Sequence, residues 1–384
     1  MQILVTGGAG FIGRQLIPLL LERGHDVSII DSIAENVHGA HPQLPSFLSD
    51  DCRLIQADIR DAAAWSCLEK AAPDAVIHLA AETGVGQSMY EIGRYTDVNI
   101  QGTSVMLDAI RDRCGGVGRM VVASSRAVYG EGSYRGEDGR LVTPAARSAE
   151  RLERGLWEPA DPTGSGELVS MPTGEDAPRV PTSIYAMTKS AQEDLVQIAG
   201  PTLGASTAVL RYTNVYGEGQ PLTNPYTGVL SAFALKLVQG QFPSVYEDGR
   251  PTRDFVHVSD VAMATTLAAE SSDPMTVNVG SGERWSLEEI AEQLTEVFGL
   301  DPAGVVVTGQ YRLGDIRHFL ASTDSLTTAL NFHPSVGLAE GLRRFGAWVE
   351  AEAQIPDHDV ASEAEQQLRS RGLLGQVAAA THRP

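Results

Sequence analysis

Tyr185 and Lys189 stand four residues apart in Ser183-Ile184-Tyr185-Ala186-Met187-Thr188-Lys189, a spacing that places both side chains on one face of a helix. A phenol ordinarily titrates near ~10, so a tyrosine serves as a base at neutral pH only with a neighbouring cation to stabilise its phenolate. Lys189 is such a cation. A Tyr-Lys pair at this spacing arises often by chance; Ser125, in Ser124-Ser125-Arg126-Ala127-Val128-Tyr129-Gly130, gives it weight. Ser125 falls at the C-terminal end of a predicted central strand, where open α/β sheets place their ligands. A serine there is also an ordinary turn cap. Together the three residues offer removal and return of a hydroxyl proton.

A second constellation opens the chain. A strand runs into Thr6-Gly7-Gly8-Ala9-Gly10-Phe11-Ile12-Gly13, and a helical pattern follows at once. Gly7 suits a tight turn, Gly10 lets the backbone approach a pyrophosphate, and Gly13 lets helix and strand pack closely. A structural turn gives the same string, but here the strand before and helix after supply the required context. Asp31 closes the second strand, where a carboxylate binds adenosine ribose hydroxyls and repels a 2′-phosphate; with no Arg or Lys close behind it, NAD is expected rather than NADP. Asp58, after the third strand, is placed to meet the adenine amino group or simply to cap a turn.

The elements that position these residues are short β-branched runs at 2–6, 26–30, 52–56, 75–79, 119–123 and 207–211, alternating with helical patterns at 11–23, 61–71, 96–113 and 185–199. Such alternation predicts a doubly wound parallel sheet. Pro18 lies too deep in the first helix for an N-terminal proline, and a kink is expected there. Residues 131–180 are polar and aperiodic. Beyond 284 come short helices (286–298, 338–352) and one strand near 304–308, predicting a smaller second domain, and 356–384 reads as a loosely attached helix with a frayed tail. Lys plus Arg number 29 against 49 Asp plus Glu, a formal charge of −20, which argues against a nucleic-acid partner. No apolar run approaches the roughly 20 residues of a bilayer span, the N-terminus is too polar for a signal peptide, and three cysteines without CxxC spacing favour a reduced, cytoplasmic setting. The nine histidines show no zinc-like spacing, so no metal is expected.

TGGAGFIG, HLAAE (78–82), SSRAVYG, the Tyr185–Lys189 pair, RYTNVYG (211–217) and RDFVHVSDVA (253–262) resemble, in that order, the extended short-chain dehydrogenases that modify nucleotide sugars. ETGVGQSMYEIGRY (82–95) and NPYTGVLS (224–231) are similar to the dTDP-rhamnose 4-epimerase branch, beside the UDP-glucose 4-epimerases. The resemblance covers roughly residues 1–350. It implies a Rossmann-type sheet with a smaller C-terminal α/β substrate domain: 1–215 plus 256–283 for NAD, 216–255 plus 284–355 for the nucleotide sugar, and 356–384 as a tail. It implies Ser125, Tyr185 and Lys189 as catalytic residues. Gly7, Gly10, Phe11, Ile12, Gly13, Asp31, Asp58, Ile59, Leu79, Ala80, Ala81, Asn99, Tyr185 and Lys189 would serve the cofactor, Asn99 by organising the active-site helix. Ser125, Arg126, Asn214, Tyr246, Arg253, Arg312 and Asp315 would serve the substrate.

Two departures bear on the reaction. The 4,6-dehydratases carry an Asp-Glu pair after the strand-end serine, because eliminating water needs an added acid and base; this chain has Arg126-Ala127. The separation of Ser125 from Tyr185 is also long for the family, and the intervening 131–180 is expected to form a lid or wall of the sugar pocket anchored by Trp157. Residues 157–166 lack the cysteine pair of some relatives. The expected activity is epimerisation of a dTDP- or UDP-hexose at its fourth carbon, in a homodimer built on helices 96–113 and 185–199. A net NDP-sugar oxidoreductase and a non-catalytic NAD-sensing protein are the alternatives.

Overall fold

The computed structural model describes residues 1–38, 48, 51–69, 72–162, 164, 166–222, 228–352 and 360–377. Seven strands, β1 (Gln2–Thr6), β2 (Asp26–Asp31), β3 (Cys52–Gln56), β4 (Ala75–His78), β5 (Arg119–Ser125), β6 (Ser206–Tyr212) and β7 (Met275–Val279), form one sheet in the order β7-β6-β5-β4-β1-β2-β3. All its pairings are parallel. The winding reverses between β1 and β4, and a crevice opens at the strands' carboxyl ends there.

Side chains alternate across a strand, so each face of the sheet needs its own cover. Ile3, Val5, Val27, Ile29, Ile77 and Val121 pack with Leu16, Ile17 and Leu20 of helix α1 (Gly13–Glu22). Leu4, Ile30, Val76, Met120 and Val122 pack on the other face with Trp65, with Met106 and Ile110 of helix α2 (Gly102–Cys114), and with Val196 of helix α3 (Ile184–Ala199). A third core joins Phe233 of helix α4 (Val229–Val238), Ile290 and Leu294 of helix α5 (Leu287–Val297), and Leu342 and Phe345 of helix α6 (Leu338–Glu352).

Several expectations need correction. The seventh strand escaped the sequence reading because Thr276 and Asn278 break its apolar run; Asn278 is buried nonetheless, through hydrogen bonds from the Tyr129 hydroxyl and to the Thr173 carbonyl. Helix α1 continues through Pro18 without a break, held by its buried face. Residues 131–180 contain a three-stranded antiparallel sheet (134–135, 141–142 and 169–170) and a helix over Ala149–Glu153 capped by Ser148. The described part of the tail, residues 360–377, is packed and paired rather than loosely attached, and 356–359 lie outside the described residues. Helix α7 (Val360–Ser370) buries Leu368, and Leu374–Gln376 pairs antiparallel with Gln310–Arg312. Its last seven residues, and 224–227 of the NPYTGVLS segment, lie outside the described residues.

Buried ion pairs stitch the 131–180 segment to the rest. The guanidinium of Arg147 donates to both oxygens of Glu247 at 2.8 and 2.7 Å. Glu247 also accepts from Arg317 at 3.0 Å, and Arg317 reaches Asp248 at 2.6 Å and Glu158 at 2.8 Å. Taking such charges out of water is costly, and removing one partner strands the others. Glu247→Gln is therefore expected to lower the unfolding free energy by about 3 kcal/mol, read by urea denaturation. A loss no larger than that of an exposed pair, under about 1 kcal/mol, would contradict a buried linchpin.

Candidate active site

A cavity of about 800 Å³ follows the carboxyl ends of the strands and continues between the sheet and the third core. At its first end the β1–α1 loop makes a cradle in which a side chain has no room. Gly7 has φ +72°, and a Cβ on it would lie 2.7 Å from the Ala80 nitrogen. Gly10, Phe11 and Ile12 line the cavity beside the start of α1, whose positive dipole end favours an anion. Gly13 is not on the wall: its Cβ would lie 2.0 Å from the Gly8 carbonyl oxygen, so it is the packing glycine between helix and loop. Asp31 lines the cavity while accepting from the Ala9 and Ile33 amides at 3.0 and 2.8 Å. Asp58, Ile59, Leu79, Ala80 and Ala81 complete this half. Arg60 lines it too, but Asp58 and Asp97 both pair with it, so it is no free cation for a 2′-phosphate. An Asp31 carboxylate above a glycine cradle fits a dinucleotide with an unmodified ribose.

The reaction centre lies midway. Ser125 ends β5 and accepts from the Ala127 amide at 3.1 Å, so the cap that the sequence allowed is present; the same residue lines the cavity with Tyr185 and lowers the proton affinity of its phenol. Cap and active-site serine are one residue. Ser183 caps α3 by accepting from the Ala186 amide, which fixes the first turn that carries Tyr185. Burial raises the Tyr185 phenol above its ordinary value, opposed by the Ser125 side chain and the charge of Arg126. Lys189 lies one turn on, beneath the wall, donating to the Ala123 carbonyl at 2.8 Å. Burial pulls its ammonium down to about 7.

Asn99 does not face the cavity. It sits in a π turn (Asp97–Gln101) that leads into α2, a distortion that recurs at functional sites. Its Nδ2 donates to the Glu82 carbonyl and to Thr188 Oγ1 at 3.0 and 2.9 Å, and its Oδ1 accepts from the Glu82 amide at 2.7 Å. It thereby ties the β4 loop to the tyrosine helix as a positioning residue. His78 is held between Thr6 Oγ1 and Thr103 Oγ1; burial lowers it to about 3, so it stays neutral.

Past Tyr185 the walls turn cationic. Arg126, Arg253, Arg312 and Lys236 line this half with Asn214, Tyr246 and Asp315. Arg126 lies over the Phe319 ring at 5.7 Å and forms no ion pair among the described residues; burial, with Arg253 adding repulsion, lowers it to about 9. Among the described residues Arg253 donates to the carbonyls of Thr252, Ile316 and Arg317 and to no carboxylate, which fixes its fork while leaving N–H groups for a ligand. Asn214 Oδ1 is buried without a partner among the described residues. The described residues of the 131–180 segment supply none of the lining. Trp157 does anchor it, against Tyr311 at 6.3 Å, but one layer behind Arg312, so the expected wall of the sugar pocket is instead a buttress.

The comparisons agree with this geometry. Residues 3–149 and 163–280 match the model of the NAD dependent epimerase/dehydratase family. The chain belongs to that family. It is 36% identical over 356 residues to a dTDP-L-rhamnose 4-epimerase of Burkholderia thailandensis, covering 91% of this chain and 95% of the relative. A UDP-glucose 4-epimerase of Thermotoga maritima, solved with UDP-glucose, superposes with a TM-score of 0.74 at 27% identity over 91% of this chain and 99% of that one. A UDP-glucose 4-epimerase of Thermus thermophilus, solved with NAD, gives 0.72 at 28% identity over 92% and 100%. NAD is the cofactor of this chain, and the glycine cradle and Asp31 fit it.

Sequence reasoning missed Phe233 and Lys236, which line the cavity from α4, and Glu365, which reaches it from α7. The apolar run over Val229–Val238 signals a buried helix, but nothing local marks its cavity-facing side. The Lys189 environment has a measurable consequence. Its folded value, about 7, lies below the ordinary 10.5, so between those limits the unfolded chain binds a proton that the folded chain lacks. Stability from this group therefore rises with pH across that window, and the burial cost of the ammonium is fully present below pH 7. Unfolding of dinucleotide-free protein should show this rise in the parent and a flatter profile in Lys189→Met; parallel profiles would refute it.

Proposed function

We propose that this chain is an NAD-dependent epimerase that inverts the fourth ring carbon of a dTDP- or UDP-hexose through a transient keto-sugar. The observation that carries the reading is that Ser125 and Tyr185 line one cavity together, with Lys189 one helical turn on, between the dinucleotide cradle and an arginine-lined arm. Epimerases of UDP- and dTDP-sugars among the relatives support it.

Tyr185 takes the proton of the sugar hydroxyl at its phenol oxygen, Ser125 relays it, and the ammonium of Lys189 favours the phenolate. Bound NAD supplies reversible hydride acceptance, so the cycle ends without net redox. Arg253 and Arg312 grip the diphosphate bidentately, as guanidinium geometry allows. Asn214 offers its unpartnered Oδ1 to a sugar hydroxyl, Arg126 faces the same region, Asp315 approaches the ribose and Tyr246 stacks on the base. Anchoring the diphosphate leaves the keto-sugar free to turn its other face before the proton on Tyr185 returns. In this assignment 1–215 plus 256–283 hold NAD and 216–255 plus 284–355 hold the nucleotide sugar.

The setting we propose is cytoplasmic, which the three unpaired cysteines support; among the described residues no helix is long and apolar enough to cross a membrane. We also propose a homodimer through the face of α2 and α3. Most of their apolar residues pack on the sheet, but Met187 and Ile198 of α3 remain exposed, Ile198 at 75%, as does Ile92 in the short helix Ile92–Thr96 that precedes α2.

Tyr185→Phe keeps the ring and removes the proton carrier. Turnover, followed by NMR over a panel of UDP- and dTDP-sugars, should fall at least ~10²-fold with NAD still bound; unchanged turnover would remove Tyr185 from the mechanism. Light scattering at micromolar concentration should return twice the 40.9 kDa chain mass, and a monomer mass would count against the dimer.

A further inference from the structure

The far end of the cavity is closed by helix α7. Glu365 alone of that helix lines the cavity among the described residues. Its Oε1 accepts from the Tyr246 hydroxyl at 3.0 Å, and its second oxygen has no partner among the described residues. Two residues on, and so on another side of the helix, Gln367 Oε1 accepts from the Tyr90 hydroxyl at 2.9 Å, and the Arg371 guanidinium just past the helix lies 4.1 Å over the Tyr90 ring. Tyr246 stands on the wall with Arg312, whereas Tyr90 follows the segment whose Thr83, Gly84 and Val85 line the opposite lip. The helix therefore spans the two lips, and its carboxylate points inward. The adjoining pairing of Leu374–Gln376 with Gln310–Arg312 holds it there.

Contacts place Glu365 along the cavity. It accepts from Tyr246, over whose ring the Arg312 guanidinium lies at 5.7 Å. Glu365 thus belongs to the Tyr246–Arg312 arm of the cavity and has no contact with the phenol of Tyr185 among the described residues. A carboxylate there repels a diphosphate and accepts hydrogen bonds but cannot donate them. On the proposed function, the sugar lies at Tyr185 and the diphosphate on the arginines, so the uncharged part left to meet Glu365 is the nucleoside. We infer that Glu365 is a specificity-determining residue, which accepts a hydrogen bond from the ribose or base of the nucleotide sugar, so that the C-terminal helix reads the nucleoside. This inference rests on the nucleotide-sugar reading.

Calorimetric titration of the NAD-loaded full chain with UDP, dTDP and inorganic pyrophosphate tests it, using the parent, Glu365→Ala, the isosteric Glu365→Gln and Tyr246→Phe. Glu365→Ala should weaken UDP or dTDP by about tenfold, the scale of one hydrogen bond to a charged group. Glu365→Gln should lose affinity in the same direction, and pyrophosphate affinity should not change. A loss confined to UDP names the 2′-hydroxyl as the donor; equal losses name a donor that both nucleosides share, and either supports the inference. Nucleotide affinities of Glu365→Ala within about twofold of the parent overturn it. So does an equal loss in Tyr246→Phe, because Glu365 would then act only by holding the tyrosine, and so does a matching loss for pyrophosphate. A parent that binds neither UDP nor dTDP overturns the nucleotide-sugar reading itself.

Discussion

A phenol buried away from water gives up its proton only where a cation shares its surroundings, and much of the polar interior here holds that cation in place. Burial moves Tyr185 up and pulls Lys189 down to about 7, so desolvation alone drives their proton affinities apart and works against a phenolate beside an ammonium. Lys189 is anchored on the Ala123 carbonyl and attracted by the buried Glu193. Glu193 is fixed by Ser124 and by Arg211, whose Nε and Nη2 donate at 2.9 and 2.8 Å. Arg211 also donates to the Tyr129 hydroxyl, which donates to Asn278. The network crosses from β5 to β7, so the sheet itself sets the electrostatics of the proton carrier.

The distribution of charge follows the same economy. The chain carries a formal −20, yet Arg126, Arg253, Arg312 and Lys236 collect on one arm of one cavity. An acidic exterior repels polyanions in general, while a concave cationic lining concentrates field on a small anion that enters it. Arg147 and Arg317, by contrast, are consumed by Glu247, Asp248 and Glu158. Cations that hold the structure are paired with carboxylates; Arg126 and Arg253 have no such ion pair among the described residues.

What was legible in the sequence is what local geometry determines. Gly7 and Gly10 at a strand–helix turn, Asp31 at a strand end and Tyr185–Lys189 one helical turn apart each need only neighbouring residues to acquire meaning, and six of the seven strands announce themselves as apolar runs. What was hidden depends on long-range closure. Arg147 and Glu247 are 100 positions apart, and Glu365 meets Tyr246 across 119. Polar, aperiodic stretches such as 131–180 and the tail hold their places through such partners, and composition alone makes them resemble decoration. Asn99 and Gly13 were legible as important but not in their manner of acting, because burial beneath the wall rather than on it is a tertiary property.

The choice between inversion and elimination turns on the residues that follow Ser125. Elimination of water requires a group that hands a proton to the departing hydroxyl and another that removes one from carbon. Here the position after Ser125 holds Arg126, whose positive charge lowers the affinity of Tyr185 for its proton, and Ala127 follows with no titratable group at all. Glu82 is the acid on the neighbouring lip, but both its oxygens accept from Arg94 at 2.9 Å, so a proton on it would have to displace an ion pair. Glu131, behind Arg126, accepts from the Arg317 amide and pairs with Arg147. Among the described residues, neither Glu82 nor Glu131 stands free beside Tyr185 as a second acid–base group. A single carrier suffices for a reaction that takes a hydroxyl proton and returns it to the same oxygen, which suits oxidation and re-reduction at one carbon better than elimination.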